Sequence, residues 1–202
     1  MKKVLMLFGV VLFPAFAFAL NAEAPSVADC QSQKKAFEEH AAGLRSDFVA
    51  QYILINMSDP MEQMSDEEAL PVAACYANFT VQGRKLTSFV RAHSFFPGDI
   101  QGREKAKLET FATRVDRLSV QARLNKLSGN MSHVMQYVLI NLADPMVKMS
   151  DAEAAPLAKA YQGCYVNGQP LMKFVRVHAS EFPVTVAEEL DTFVARVNEL
   201  AN

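Results

Sequence analysis

Two histidines and a set of methionines are the residues of this 202-residue chain whose types and spacing could do chemistry. Ser88 to His93 reads SFVRAH, and 85 positions later Lys173 to His178 reads KFVRVH. On a helix Phe89 and His93 stand four apart and share a face, with Arg91 turned away; Phe174, His178 and Arg176 repeat the arrangement. Such an imidazole serves as a ligand, as an acid–base group, or as a half-buried side chain making one hydrogen bond at an interface. Arg91 and Arg176 are then expected to pair with carboxylates such as Asp66 and Asp151. Tyr52 and Tyr137 sit in a repeated Gln-Tyr-x-Leu-Ile-Asn and join Arg91, His93, Arg176 and His178 as candidate ligand or interface residues.

Met57, Met61 and Met64 run M-x-x-x-M-x-x-M, and Met146 and Met149 repeat the later pair. Thioethers three and four apart lie on one side of a turn, and soft sulfur suits Cu(I). Met61, Met64, Met146 and Met149 with His93 and His178 therefore form a candidate metal set. The competing reading is packing, since methionine fills irregular core gaps and Leu142 stands where the first copy has Met57. Catalysis finds less support. The chain has no G-x-S-x-G and no H-E-x-x-H. Asp59, Asp66, Glu68, Asp144, Asp151 and Glu153 stand where helix starts favour negative charge. The balance points away from an enzyme.

The elements that would position these residues come twice. Val49–His93 aligns with Val134–His178 without a gap, and 24 of the 45 positions are identical. Further on, Phe96-Pro97 matches Phe182-Pro183, and Phe111–Leu118 matches Phe193–Leu200. A tandem duplication covering nearly all the mature chain is the expectation. Phe37, Leu44, Phe48, Tyr52 and Ile55 fall at helical spacings across Ala36–Met57, as do the residues from about Met131 to Leu142. Asp59-Pro60 and Asp144-Pro145 read as an N-cap with proline at the first helical position. Ser65–Glu68 and Ser150–Glu153 read as capping boxes opening helices that end near Tyr76 and Tyr161. Pro71 and Pro156, early in those helices, are expected to kink them or delay their start. Val81-Gln-Gly83 and Val166-Asn-Gly168 mark turns. A short helix carrying Phe-Val-Arg-x-His follows each, with Phe95-Phe96 as an apolar plug after the first. Amphipathic helices from about Arg103 to Ser128 and from Val186 to Leu200 close the two copies. No long period-two alternation occurs, so the chain is expected to be all-α. It is read as two pseudo-twofold-related helical subdomains packed into one bundle-like body.

Pro60 through Tyr76, with Met61, Ser65-Asp66-Glu67-Glu68 and a helix ending in tyrosine, resembles the tail of class I c-type cytochromes, and so does Pro145–Tyr161. The resemblance covers about twenty residues per copy. No C-x-x-C-H occurs, so covalent haem attachment is excluded. The resemblance implies at most a non-covalent haem held by Met and His. Copper and non-covalent haem are thus the cofactor candidates.

The N-terminus sets the compartment. Lys2 and Lys3, the apolar run Val4–Phe13 and Ala17-Phe18-Ala19 form a cleavable secretory signal over residues 1–19. That run is too short to span a membrane, and no second one follows. Residues 20–127 would hold the first repeat with an N-terminal extension, and residues 128–202 the second. Without Lys2 and Lys3 the charge is 18 − 22 = −4, interspersed and with no basic stripe, which argues against nucleic acid. Cys30, Cys75 and Cys164 allow one disulfide and one leftover thiol, with Cys75–Cys164 the pairing expected. Together these features describe a periplasmic or secreted non-catalytic binding or adaptor protein. The groove between its repeats would take another envelope or extracellular protein, or a small ligand.

Overall fold

The computed structural model describes residues 27–93 and 101–202. The expected signal segment 1–19 and Phe95-Phe96-Pro97 lie outside the described residues. Over the described residues the chain is all-α, apart from two hairpins of two-residue strands.

The first helical run begins as α1 (Val27–Ala42) and α2 (Ser46–Ile53). The single helix expected over Ala36–Met57 is broken between them, where Gly43 lowers helix propensity and Arg45 takes extended backbone (φ −66, ψ 151). A π turn over Leu54–Ser58 then leads directly into α3 (Asp59–Glu62). Asp59 is not the N-cap its sequence suggests: Ser58 and Asp59 both keep helical backbone, and neither side chain caps. Pro60 has no N–H to donate, and its ring crowds the carbonyl four residues back. The π turn just before it widens the helix: the Asp59 N–H reaches five residues back to the Leu54 carbonyl. Asn56 Nδ2 donates to the Tyr52 carbonyl at 3.0 Å beside the widened turn.

Helix α4 (Asp66–Tyr76) opens on a capping box, with Ser65 N–H donating to Glu68 Oε2 at 2.8 Å and Glu68 N–H to Ser65 Oγ at 3.2 Å. Pro71 neither stops the helix nor delays its start, which is at Asp66. Strands β1 (Thr80–Val81) and β2 (Arg84–Lys85) pair antiparallel around Gln82 (φ 49) and Gly83 (φ 76). Positive φ at both turn residues matches the right-handed twist of a hairpin, and glycine tolerates it best. Then come α5 (Leu86–His93) and the 27-residue α6 (Gln101–Leu127), about 40 Å long at the α-helical rise.

The remaining elements are α7 (Met131–Val138), a π turn (Leu139–Ala143), α8 (Asp144–Val147), α9 (Asp151–Gln162), β3 (Tyr165–Val166), β4 (Gln169–Pro170), α10 (Leu171–His178) and α11 (Val184–Leu200). Asp144 N–H again reaches the Leu139 carbonyl, and Asn141 Nδ2 the Tyr137 carbonyl at 3.2 Å. Pro156 lies inside α9 without delaying its start at Asp151. Asn167 (φ 50) and Gly168 (φ 77) turn the second hairpin.

Two apolar cores result, and α6 belongs to both. Leu108, Phe111, Ala112, Val115 and Leu118 pack into the first core, Val120 and Leu124 into the second. The changeover falls between Leu118 and Val120, inside the helix, whereas the sequence places a repeat boundary at its end near 127. One disulfide is present, Cys30–Cys75, with Cα atoms 5.6 Å apart. This corrects the Cys75–Cys164 pairing. Cys75 on α4 faces α1, while Cys164 is a free, buried thiol beneath the second core. Burial pushes that thiol up to about 12.

Candidate functional site

The repeated Phe-Val-Arg-x-His motifs hold their histidines in different ways. Phe89 is fully buried, and His93 stacks on it with ring centroids 4.3 Å apart. His93 Nδ1 lies 3.0 Å from the Phe89 carbonyl, which can only accept, so this nitrogen carries the proton. In the second motif Phe174 and His178 are 4.5 Å apart and tilted, and His178 Nδ1 meets Glu181 Oε1 at 2.7 Å. Tyr52 packs beside Phe37 (5.9 Å) and His40 (5.0 Å). Tyr137 is likewise half-buried, and burial raises both phenols above their ordinary value.

The arginines depart from expectation. Arg91 Nη2 donates to Asp116 Oδ2 at 2.7 Å, and Thr87 Oγ1 to Asp116 Oδ1 at 3.1 Å. Asp66 is instead taken by α6, with Arg117 Nη2 donating to Oδ2 at 2.7 Å and Arg114 Nη2 to Oδ1 at 3.0 Å. Arg176 is exposed and has no ion pair among the described residues, and Asp151 is held by Arg196 at 2.9 Å. Burial raises the Asp116 carboxyl despite Arg91 and Thr87. Burial pushes the same way on Asp66, but Arg117 and Arg114 outweigh it and hold that carboxyl below the usual range.

The methionines contribute backbone where the sequence suggests sulfur. Arg114 Nη1 donates to the Met61 carbonyl and Nη2 to the Met64 carbonyl at 2.7 Å. Arg196 does the same at Met146 and Met149, both at 2.7 Å. The guanidinium thus gathers two carbonyls at the short helix end, one of which also accepts a backbone N–H three residues on. Met61 and Met146 are each 1 % exposed and lie in different cores, with Met64 packed against the first and Met149 against the second. The four thioethers therefore do not gather at one centre. Sequence reasoning missed Arg114 and Arg196 as clamps, although both stand in the matched segments Phe111–Leu118 and Phe193–Leu200.

The tail of α6 is tied to the second hairpin. Gln121 Nε2 donates to the Tyr165 carbonyl at 2.8 Å, and Tyr165 N–H donates back to Gln121 Oε1 at 2.7 Å. Cys164 Sγ donates to the Arg117 carbonyl at 3.5 Å. A concave space lies within the first half: a cavity of about 330 Å³ between the π turn, α3 and the start of α6, lined by Ser58, Met61, Glu62, Lys107 and Phe111 among others. Elsewhere, Phe48 and Ile55 on the α2 side and Ile140 in the second π turn are large apolar side chains left in water, Ile55 and Ile140 by 58 and 60 %. No protein-family model, curated protein or solved structure matches this chain.

Proposed function

We propose that the chain is an exported, non-catalytic binding or adaptor protein, made by tandem duplication of one helical unit, that engages another envelope or extracellular protein. The carrying observation is the pair Ile55 and Ile140. They occupy the same position of the repeat, 85 residues apart, and both are exposed. Several other retained residues have internal work: Asn56 and Asn141 at the π turns, Ser65 and Ser150 at the capping boxes, Arg114 and Arg196 at the clamps. An apolar side chain kept in water has no such internal reason, and a partner that buries it supplies one. This exposed face is proposed as a contact surface beside the groove between units. Export is supported by Lys2, Lys3, the apolar run and the Ala17-Phe18-Ala19 site, together with the Cys30–Cys75 bond, which an oxidising compartment preserves.

The test is site-specific photo-crosslinking in living cells from residues 55 and 140, with exposed Val184 as control, followed by cell fractionation. The expected result is one protein adduct common to both positions, absent from 184, in the envelope or medium. Adducts at neither position would overturn the binding reading; the chain in the cytoplasm, with its leader intact, would overturn the exported one.

A further inference from the structure

We propose that the cavity of the first half is a binding site for a small aromatic carboxylate. Its volume of about 330 Å³ stands at the lower end of small-molecule pockets, which run from roughly 300 to 1,000 Å³. The inner wall is Met61 and Phe111, both buried, with Ser58 beside them. A thioether and a phenyl ring lining one cavity give it an apolar surface suited to another ring. Ser58 is 4 % exposed, lines the cavity, and its side chain makes no hydrogen bond among the described residues, so its hydroxyl is available there.

The charges at the rim point to an anion. Glu62 is answered by Lys107, whose Nζ lies 3.1 Å from it and 3.0 Å from Asp59. Arg114 is spent on the Met61 and Met64 carbonyls and Asp66. Arg103 alone lines the cavity without an ion pair among the described residues, and its planar fork matches a carboxylate.

The second half supplies an internal control. Met146, Phe193 and Arg196 keep the frame of Met61, Phe111 and Arg114. Ala143 replaces Ser58, Val147 replaces Glu62, Thr185 replaces Arg103 and Glu189 replaces Lys107. The same clamp forms there without the hydroxyl or the free cation. Ser58 and Arg103 are therefore not needed to hold the frame, and a ligand gives both a role: its carboxylate on Arg103, its ring against Met61 and Phe111, a polar substituent on Ser58.

This site lies apart from the exposed repeat face, and its test uses the purified full chain alone, so either reading can fail without the other. The probe is 4-hydroxybenzoate, titrated by calorimetry and by NMR. One-to-one saturable binding is expected, weakened about tenfold or more by Arg103→Thr and by Ser58→Ala. The neutral 4-hydroxybenzyl alcohol is expected to bind about tenfold more weakly than the acid. Both substitutions install residues the second half already carries, and unchanged melting of each variant verifies the fold. No saturable binding up to about 10 mM, against the millimolar floor of specific affinity, overturns the proposal. Binding that neither substitution alters, or equal binding of the alcohol, overturns it too.

Discussion

The two halves reach the same local geometry with different supports. In the first, the helix before the break is α1, a separate segment tied to α4 by Cys30–Cys75. In the second, the corresponding helix is the tail of α6, and chain continuity holds it. The correspondence is tight: α1 ends at Ala42 and α6 at Leu127, while α2 starts at Ser46 and α7 at Met131, 85 positions apart in each case. The aligned partner of Cys75 is Ala160. The bridge falls in the half whose corresponding helix is a separate segment. The charges differ in the same direction. Asp66 receives two arginines and Asp151 one, because Glu199 stands where the first half has Arg117. Arg91 has Asp116, whereas Asn198 stands at the matching position of the second half and Arg176 is exposed. Both halves are packed around apolar cores, and the first carries the covalent tie and more of the ionic ones.

Reducing the disulfide, or Cys30→Ser/Cys75→Ser, is the strongest way to break this comparison. The bond closes a separation of 45 residues, and its loss should cost roughly 2–5 kcal/mol. Hydrogen exchange should then show α1 and α4 losing protection while α9 and α11 keep theirs; uniform loss would show that the halves do not differ. Next in size is the clamp. Arg114→Ala should cost about 2–3 kcal/mol through its charge-assisted bonds, and Arg196→Ala about 1–2 kcal/mol, because its carboxylate partner is exposed. Urea unfolding of both variants ranks them, and the reverse order breaks the argument. Asp116→Asn, which copies Asn198, leaves Arg91 without its counter-ion and should cost about 1–3 kcal/mol near neutral pH.

Acid sharpens the comparison further. The folded Asp66 carboxyl is lowered, so its contribution is complete above the ordinary aspartate value of about 3.9 and is lost as pH falls through the folded value. Its half-exposed setting limits the effect to below about 1 kcal/mol. Asp116 is raised, so the folded state takes up its proton first and gains relative stability as pH falls toward 3.9. Unfolding free energies of Asp66→Asn and Asp116→Asn between about pH 3 and 6 should thus depart from the parent with opposite slopes. The smallest effect is at Gly163. A Cβ there would sit 2.5 Å from Arg117 Cδ, a movable side chain, so Gly163→Ala should shift Arg117 off Asp66 and cost about 0.5–1 kcal/mol by thermal melting.

Local signals in the chain were readable where the physics is local. The capping boxes at Ser65 and Ser150, the turns at Gly83 and Gly168 and the stacking of Phe89 with His93 depend on neighbours within four residues. The Asp-Pro steps misled, because an N-cap and a π turn answer the same missing N–H of proline. Nothing local chooses between them. The arginine pairings misled for a different reason. Asp66 lies 48 positions before Arg114 and 51 before Arg117, and a carboxylate takes whichever cation the packing of α6 delivers.

By itself, the sequence determined the helical character, the internal repetition and the two hairpin turns, because periodicity, caps and positive-φ residues act along the chain. Only the tertiary structure decided that Cys30 rather than Cys164 bridges Cys75, that one helix serves two cores, and that the cavity lies in the first half. Each of these depends on which faces meet across tens of residues. Two segments that share 24 of 45 positions can therefore differ in the charges and hydroxyls they bring together.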